Sequence, residues 1–196
     1  MPQTRSSTIE LTDPRALRAV AHPIRLELIG LLRRSGPLTA TQAAARIDES
    51  PASCSFHLRQ LAKYGLVEEA GGGVGRERPW RATAITTSWA VTSADEDREE
   101  AVEMLSRVVV ERYFEQTLAW LGQRRTEPPE WAAVGDIGDR VLYATPEELE
   151  ELQERLAELL EPFQERLADP GSRPAGARAV NFVQLVFPLP GEPAEE

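Results

Sequence analysis

Apolar positions recur at helical spacing through the N-terminal part of the chain, between short turn signals. Residues 13–21 predict a short helix with Thr12 or Asp13 as its cap, and residues 23–34 predict a second helix that begins at a proline. The apolar stripe of this second helix consists of Ile24, Leu28, Leu31 and Leu32. We therefore expect the second helix to pack inward along that stripe.

Two further short helices follow, with a tight turn between them. Residues 39–47 are rich in alanine, and Thr39 stands three residues before Gln42, which is the spacing of a capping box. The next helix is expected to span residues 50–64, with a serine as cap and a proline in its first position. Two short helices joined by a tight turn are typical of a helix-turn-helix.

A two-stranded ribbon is predicted directly after the second of these helices. Residues 66–69 form its first strand, residues 70–75 form a glycine-rich tip, and residues 76–83 return as its second strand. A ribbon in this position is the wing of a winged helix-turn-helix.

The helix over residues 51–64 divides into an apolar and a polar face when residues are placed at 100° intervals. Cys54, Leu58 and Leu61 lie on the core side, and His57 falls between the two faces. Cys54 and His57 are either a metal-ligand pair or parts of the fold. Because a zinc site needs about four ligands and only His22 remains as another soft ligand, we expect no metal and no cofactor.

The outward face of the same helix suits DNA. Its serine, glutamine and arginine side chains can read base edges or bind phosphates, and the arginines of the ribbon suit phosphates or a minor groove. A face that is merely solvated is the alternative. The predicted DNA-binding residues are Ser53, Ser55, Phe56, His57, Arg59, Gln60, Lys63, Arg76, Arg78 and Arg81.

Residues 12–85 resemble the ArsR-type (arsenic-repressor-like) winged helix-turn-helix transcription regulators. The resemblance rests on the stretch LRAVAHPIRLELIGLL, with its Ala-His-Pro-Ile-Arg element, and on SPASCSFHLRQLAKYGLVE, with its serine, His-Leu and Gly-Leu-Val positions. It implies a homodimer that places one recognition helix of each protomer in successive major grooves. It also implies that His57 is the usual recognition-helix histidine, which serves the fold and DNA contact.

The chain departs from the metal-sensing members of that family. Many of them carry a Cys-x-Cys pair beside the turn, or a cluster of Asp and His on the last helix. Residues 40–50 contain no cysteine, and the C-terminal part contains no histidine. We therefore do not expect this chain to sense metals as those members of the family do.

One long helix is predicted from Asp95 to about Arg125. It has a broad apolar surface and is longer than a winged helix needs for its own core, so we expect a dimerisation helix that packs on its symmetry mate and on the first helices. Packing within the monomer against the C-terminal elements is the alternative, and both arrangements can hold together.

The rest of the chain predicts a small strand–helix–strand unit. Strands are expected at residues 136–144 and 179–189, and between them a helix begins after Thr145, runs to about Ala168 and is kinked at Pro162. The unit could form a βαβ-like pair or extend a sheet across the dimer. It contains no glycine-rich phosphate loop and no Ser/His/Asp set, so we expect no enzyme. Four aromatic residues could line a small-molecule pocket or be plain core: Tyr113, Phe114, Trp120 and Trp131.

The net charge of −10 is unevenly distributed along the 196 residues. Residues 1–85 hold 12 Arg and Lys against 8 Asp and Glu, a balance of +4, whereas residues 86–196 hold 10 against 24, a balance of −14. The two parts are thus expected to have different partners. Without a membrane span, a signal peptide or a second cysteine, the expected location is the cytoplasm.

The sequence therefore predicts a mainly α, α+β protein in two parts: a winged helix-turn-helix at residues 1–90, and a C-terminal dimerisation and ligand-sensing region at residues 91–196. The expected function is that of a homodimeric transcription repressor that binds double-stranded DNA and is controlled by a small organic effector. The alternative is a winged-helix module that binds protein, with weak or no DNA binding. Salt dependence of DNA affinity distinguishes the two.

Overall fold

A computed structural model describes residues 6–73 and 78–189, and the fold is mainly α with two small sheets. The helices are α1 Pro14–Val20, α2 Pro23–Ser35, α3 Ala40–Ile47, α4 Pro51–Lys63, α5 Glu96–Gln123, α6 Pro129–Ala132 and α7 Pro146–Ala168. The described strands are β1 Ser6–Glu10, β2 Val67–Glu69, β3 Trp80–Ala82 and β4 Ala84–Ser88. Short 3₁₀ turns follow α5 and α7.

Side-chain caps fix the starts of the N-terminal helices where the sequence predicts them. The Asp13 carboxylate accepts a hydrogen bond from the backbone of Arg15 at the start of α1. Thr39 and Gln42 form the predicted capping box on α3, because each side chain accepts from the other residue's backbone N–H. The hydroxyl of Ser50 caps α4. These predictions of helix boundaries are confirmed.

The core lies where α1, α2, α4 and the first turns of α5 meet. Leucines from each of these helices fill it, and the largest fully buried ones are Leu17, Leu28, Leu32, Leu58, Leu61 and Leu105. Removing any one of them would leave a cavity in the centre of the domain and cost about 2–5 kcal/mol of unfolding free energy. This shared core fixes the position of α4 against the other helices.

The predicted ribbon is present as β2 and β3. The strands pair antiparallel, with Val67 opposite Ala82 and Glu69 opposite Trp80. Leu38, which lies just before α3, adds two backbone hydrogen bonds to Trp80 of 2.8 and 3.0 Å. The ribbon is therefore attached to the start of α3, a link that the sequence did not predict.

A second sheet, also unpredicted, joins the N-terminal segment to the end of the winged helix. β1 pairs with β4 in parallel, with Thr8 opposite Thr86. Arg33 of α2 holds β4 in place, since its guanidinium donates to the carbonyl of Ala84 at 3.0 Å and to the hydroxyl of Thr87 at 2.6 Å. Burial lowers the pKa of Arg33 to about 10.

The long helix and the C-terminal helix occur as predicted, as α5 and α7. Arg112 of α5 attaches this helix to α2 through Glu27, at 2.7 Å. Although burial opposes ionisation of Glu27, the cations of Arg112 and Arg34 leave its pKa below its usual range. No helix of the described residues combines the length and the apolarity that crossing a membrane requires.

The predicted strands at residues 136–144 and 179–189 are not formed. Both segments lack regular secondary structure in the described chain, so the expected strand–helix–strand unit is reduced to its helix. A strand needs a hydrogen-bonded neighbouring strand as well as apolar residues, and neither segment pairs with a strand of the described residues. The apolar residues of the two segments therefore led to a wrong prediction of strands.

Candidate nucleic-acid interface

Helix α4 is held with one face inward and the other outward. Cys54, Leu58 and Leu61 have no exposed surface, as the helical wheel predicts. They anchor the helix against α2 and α3, while Ser50 and Pro51 fix its first turn. The outward face is thereby presented on a rigid support, which a recognition surface requires.

The predicted outward residues of α4 share one surface. Phe56 is 49% exposed, Arg59 and Lys63 are exposed, and Ser53 and Gln60 are half-buried. Phe56 therefore lies partly exposed on the surface. The structure thus brings a strip of donors, acceptors and cations together with one aromatic ring.

The half-buried hydroxyl of Ser55 lies at the edge of this strip. It accepts a hydrogen bond from the Arg59 guanidinium at 2.9 Å, which orients that cation one turn along the helix. Arg59 retains other donors for a phosphate or a base, because a guanidinium carries five N–H groups.

A groove separates α4 from the ribbon, with a volume of about 760 Å³. Its residues come from the start of α3, from α4 and from both strands: Thr39, Ala40, Thr41, Gln42, Ser55, Arg59, Glu69, Arg78 and Trp80. Arg59 and Arg78 supply cations from its two sides, and the backbone N–H groups at the start of α3 add to the positive potential. Glu69 also lines the groove and pairs with Arg78, so its charged side chains sum to one positive charge.

Each described ribbon arginine contacts a glutamate of the opposite strand. Arg78 lies 3.1 Å from Glu69, with both side chains largely exposed, and Arg81 lies 2.8 Å from Glu68 and is more enclosed. An exposed ion pair contributes little to stability, so Arg78 can exchange its glutamate for a phosphate at small cost. Arg76 lies outside the described residues.

His57 is placed differently from the other predicted residues. It is 8% exposed and faces α2, where its Nδ1 accepts a hydrogen bond from Arg25 at 3.3 Å. Its ring lies against that of His22, with the centroids 4.6 Å apart. Burial, assisted by the cation of Arg25, holds the pKa of His57 below its ordinary value. The ring therefore supports α4 on the side that faces α2 and does not reach the outward strip.

Cys54 lies among buried leucines on the inner face of α4, away from the strip. Burial raises the pKa of its thiol, which keeps the sulfur protonated and unreactive at neutral pH. Among residues 6–73 and 78–189, no three His, Cys, Asp or Glu side chains are grouped closely enough to hold a metal ion.

Sequence reasoning missed the contribution of α3 to the groove. Thr39, Thr41 and Gln42 lie at the start of that helix and line the groove, and Trp80 lines it from β3. The capping box that identified the start of α3 was the available signal, since a helix N-terminus presents free N–H groups. Its position beside α4 depends on the link between Leu38 and Trp80, which only the fold reveals.

Comparison with known proteins agrees with this geometry. Residues 20–70 match the model of a family described as a helix-turn-helix domain, and the match spans α2, α3, α4 and β2. Residues 20–70 are thus similar to a helix-turn-helix domain. No curated protein sequence matches the chain. The match indicates a regulator that binds DNA.

Proposed function

We propose that this protein is a sequence-specific, DNA-binding transcription regulator of the ArsR type. The observation that carries the proposal is the outward strip of α4, where Ser53, Arg59 and Gln60 lie beside a groove with cations on both sides. In the complex, α4 enters the major groove and the ribbon lies along the backbone or the minor groove. Base contacts come from α4, and phosphate contacts come from Arg59, Lys63 and Arg78.

The assignment to the ArsR type rests on two supports. The matched helix-turn-helix family occurs in ArsR-type regulators. The Ala-His-Pro-Ile-Arg element has a structural purpose here, because His22 caps α2 and Arg25 bonds to the recognition helix. We assign His57 to the positioning of α4 and not to direct contact with bases.

The proposed active form is a homodimer that pairs through α5. The inner face of this helix is buried in the core at Ala101, Val102 and Leu105. The opposite side carries a second apolar stripe that is exposed along two turns, consisting of Val110, Phe114 and Leu118. These residues are four apart, so they form a continuous ridge suited to pairing with the same ridge of a second copy.

We further propose that the dimer represses transcription and that its C-terminal region responds to a small organic effector. Trp131, which stacks on Arg178 at 4.8 Å, and Trp120, which closely approaches Gly135, mark the aromatic part of this region. Phe114 lies on the other side of α5 and belongs to the proposed dimer ridge.

The test is a footprint on the DNA upstream of the protein's own coding region, with unrelated DNA of equal length as competitor. We expect protection of two half-sites about one helical turn apart, as two recognition helices of a dimer require. The control is Arg59→Ala with Gln60→Ala, which should abolish the footprint and leave the circular dichroism of the protein unchanged. Equal protection of both DNAs would contradict sequence-specific binding.

A further inference from the structure

The chain contains two histidines, and the fold brings them together behind the recognition helix. His22 lies at the start of α2 and His57 lies in the middle of α4, yet their ring centroids are 4.6 Å apart with the planes tilted by 42°. They form part of the contact between α2 and the inner side of α4.

Each ring uses its Nδ1 atom as a hydrogen-bond acceptor. Nδ1 of His22 accepts from the backbone N–H of Ile24 at 3.2 Å, which caps α2. Nδ1 of His57 accepts from Nε of Arg25 at 3.3 Å, while another donor of Arg25 bonds to the carbonyl of Ala19 at 2.6 Å. A protonated imidazole has no acceptor atom, so both hydrogen bonds require neutral rings.

The charges around the pair also disfavour protonation. The guanidinium of Arg25 adjoins both rings, and each ring would repel a proton on the other. Glu49, in the turn between α3 and α4, is the charge that acts in the opposite sense. Burial and Arg25 outweigh Glu49, so the pKa of each histidine lies below its ordinary value.

The pair is connected to the DNA-facing strip through Phe56. This ring makes an edge contact with His57, with the centroids 5.2 Å apart, and it is half-exposed on the outer side of α4. We propose that His22, His57 and Arg25 form a pH-sensitive clamp that holds α4 in its DNA-binding position at neutral pH and releases it in mild acid.

The sign of the effect follows from the hydrogen bonds. Protonation of either ring removes an acceptor and adds a cation beside Arg25, which weakens the contact of α4 with the first turn of α2 and lets α4 shift on the leucine core. The docked state therefore binds fewer protons than the released state, and acid favours release. Mere addition of positive charge near DNA would act oppositely and strengthen binding. The inference rests on the proposed DNA-binding function, and these opposite signs make it testable.

The experiment measures the affinity of the full chain for its footprinted duplex at constant salt between pH 5.5 and 7.5. The matched variant is His22→Asn with His57→Gln, which contains no histidine. Asparagine is a preferred helix cap, and the glutamine oxygen can accept from Arg25, so both structural bonds can persist without a titrating group.

For the natural sequence we expect affinity to fall by up to about fivefold between pH 6.5 and 5.5 for each excluded proton, because a released imidazole with the ordinary pKa near 6.5 is half protonated at the first pH and almost fully protonated at the second. The histidine-free variant should bind equally at all pH values, with the affinity that the natural sequence has at pH 7.5. Affinity that rises in acid, or an equal fall in both proteins, would overturn the clamp.

A second measurement does not depend on DNA. NMR of the free protein follows the two imidazole signals together with the backbone amide of Phe56. We expect all three to titrate with a common midpoint below 6.5, and the amide to stay unchanged in the histidine-free variant. If the protein failed to bind DNA at pH 7.5 while the three signals titrated as expected, the proposed function would be overturned and the clamp would not. An amide signal of Phe56 that does not change as the histidines titrate would overturn the clamp and leave the proposed function intact.

Discussion

Gln60 is the residue of the outward strip best suited to read a base, because its amide can both donate and accept. Replacement by alanine should cost about 1–3 kcal/mol of binding free energy at one base pair and relax the preference there. Affinities for a set of duplexes with single substitutions measure this directly. Gln153→Ala, on the exposed surface of α7, is the control. An equal loss of affinity for all duplexes would show that Gln60 contacts the DNA backbone and does not read a base.

For single residues, helical periodicity predicts burial on α4 only in part. The inner face of α4 was predictable, since Cys54, Leu58 and Leu61 repeat at helical spacing and are buried. His57 was ambiguous at the boundary between the faces. Its burial is decided by Arg25 and His22, which lie more than 30 residues earlier, and periodicity within one helix contains no information about them.

At the scale of elements, the helices were predictable because their signals are local. Caps at Asp13, Thr39, Ser50 and Thr145 all lie next to the residues whose N–H groups they bind. Strands depend on partners that are distant in sequence. The pairing of β1 with β4 joins residues almost 80 positions apart and was missed, while two apolar segments without a partner were wrongly predicted as strands.

The ribbon provides a prediction at this scale. Arg78→Ala should weaken binding to every duplex alike and reduce the slope of log affinity against log salt by about one unit, because one phosphate contact is lost. Arg107→Ala is a matched control. Arg107 also forms an exposed 3.1 Å ion pair, with 68% of its side chain exposed against 72% for Arg78, but it lies on α5.

Salt titrations of both variants decide the point, with thermal unfolding as a check on folding. Both should lose less than about 1 kcal/mol of stability, as exposed ion pairs do. If the two variants gave the same salt slope as the natural sequence, the ribbon would not contact the DNA backbone.

At the scale of the whole molecule, the apolar ridge on α5 makes the oligomeric state testable. Phe114 is 64% exposed, and in a twofold dimer each substitution occurs twice in the interface. Phe114→Asp should therefore raise the dimer dissociation constant by at least about thirtyfold. Sedimentation equilibrium measures it. Val91→Asp changes an apolar residue outside the ridge that is 72% exposed, and a loss of dimer in that control would show that the ridge is not responsible.

The charge distribution also belongs to this scale. Residues 1–85 carry a balance of +4 within a molecule whose net charge is −10, so the proposed binding to DNA depends on a local basic strip. Sequence composition predicted this division, whereas the arrangement of the strip and groove required the fold.

The most direct test of DNA recognition by α4 is a salt titration of affinity for the footprinted duplex and for a scrambled duplex of equal length. We expect affinity for both to fall as salt rises, with a slope that reflects several released counterions. At physiological salt the footprinted duplex should still bind at least about a thousandfold more tightly. Affinities that were equal for the two duplexes, or that did not change with salt, would contradict sequence-specific DNA binding and favour a domain that binds protein.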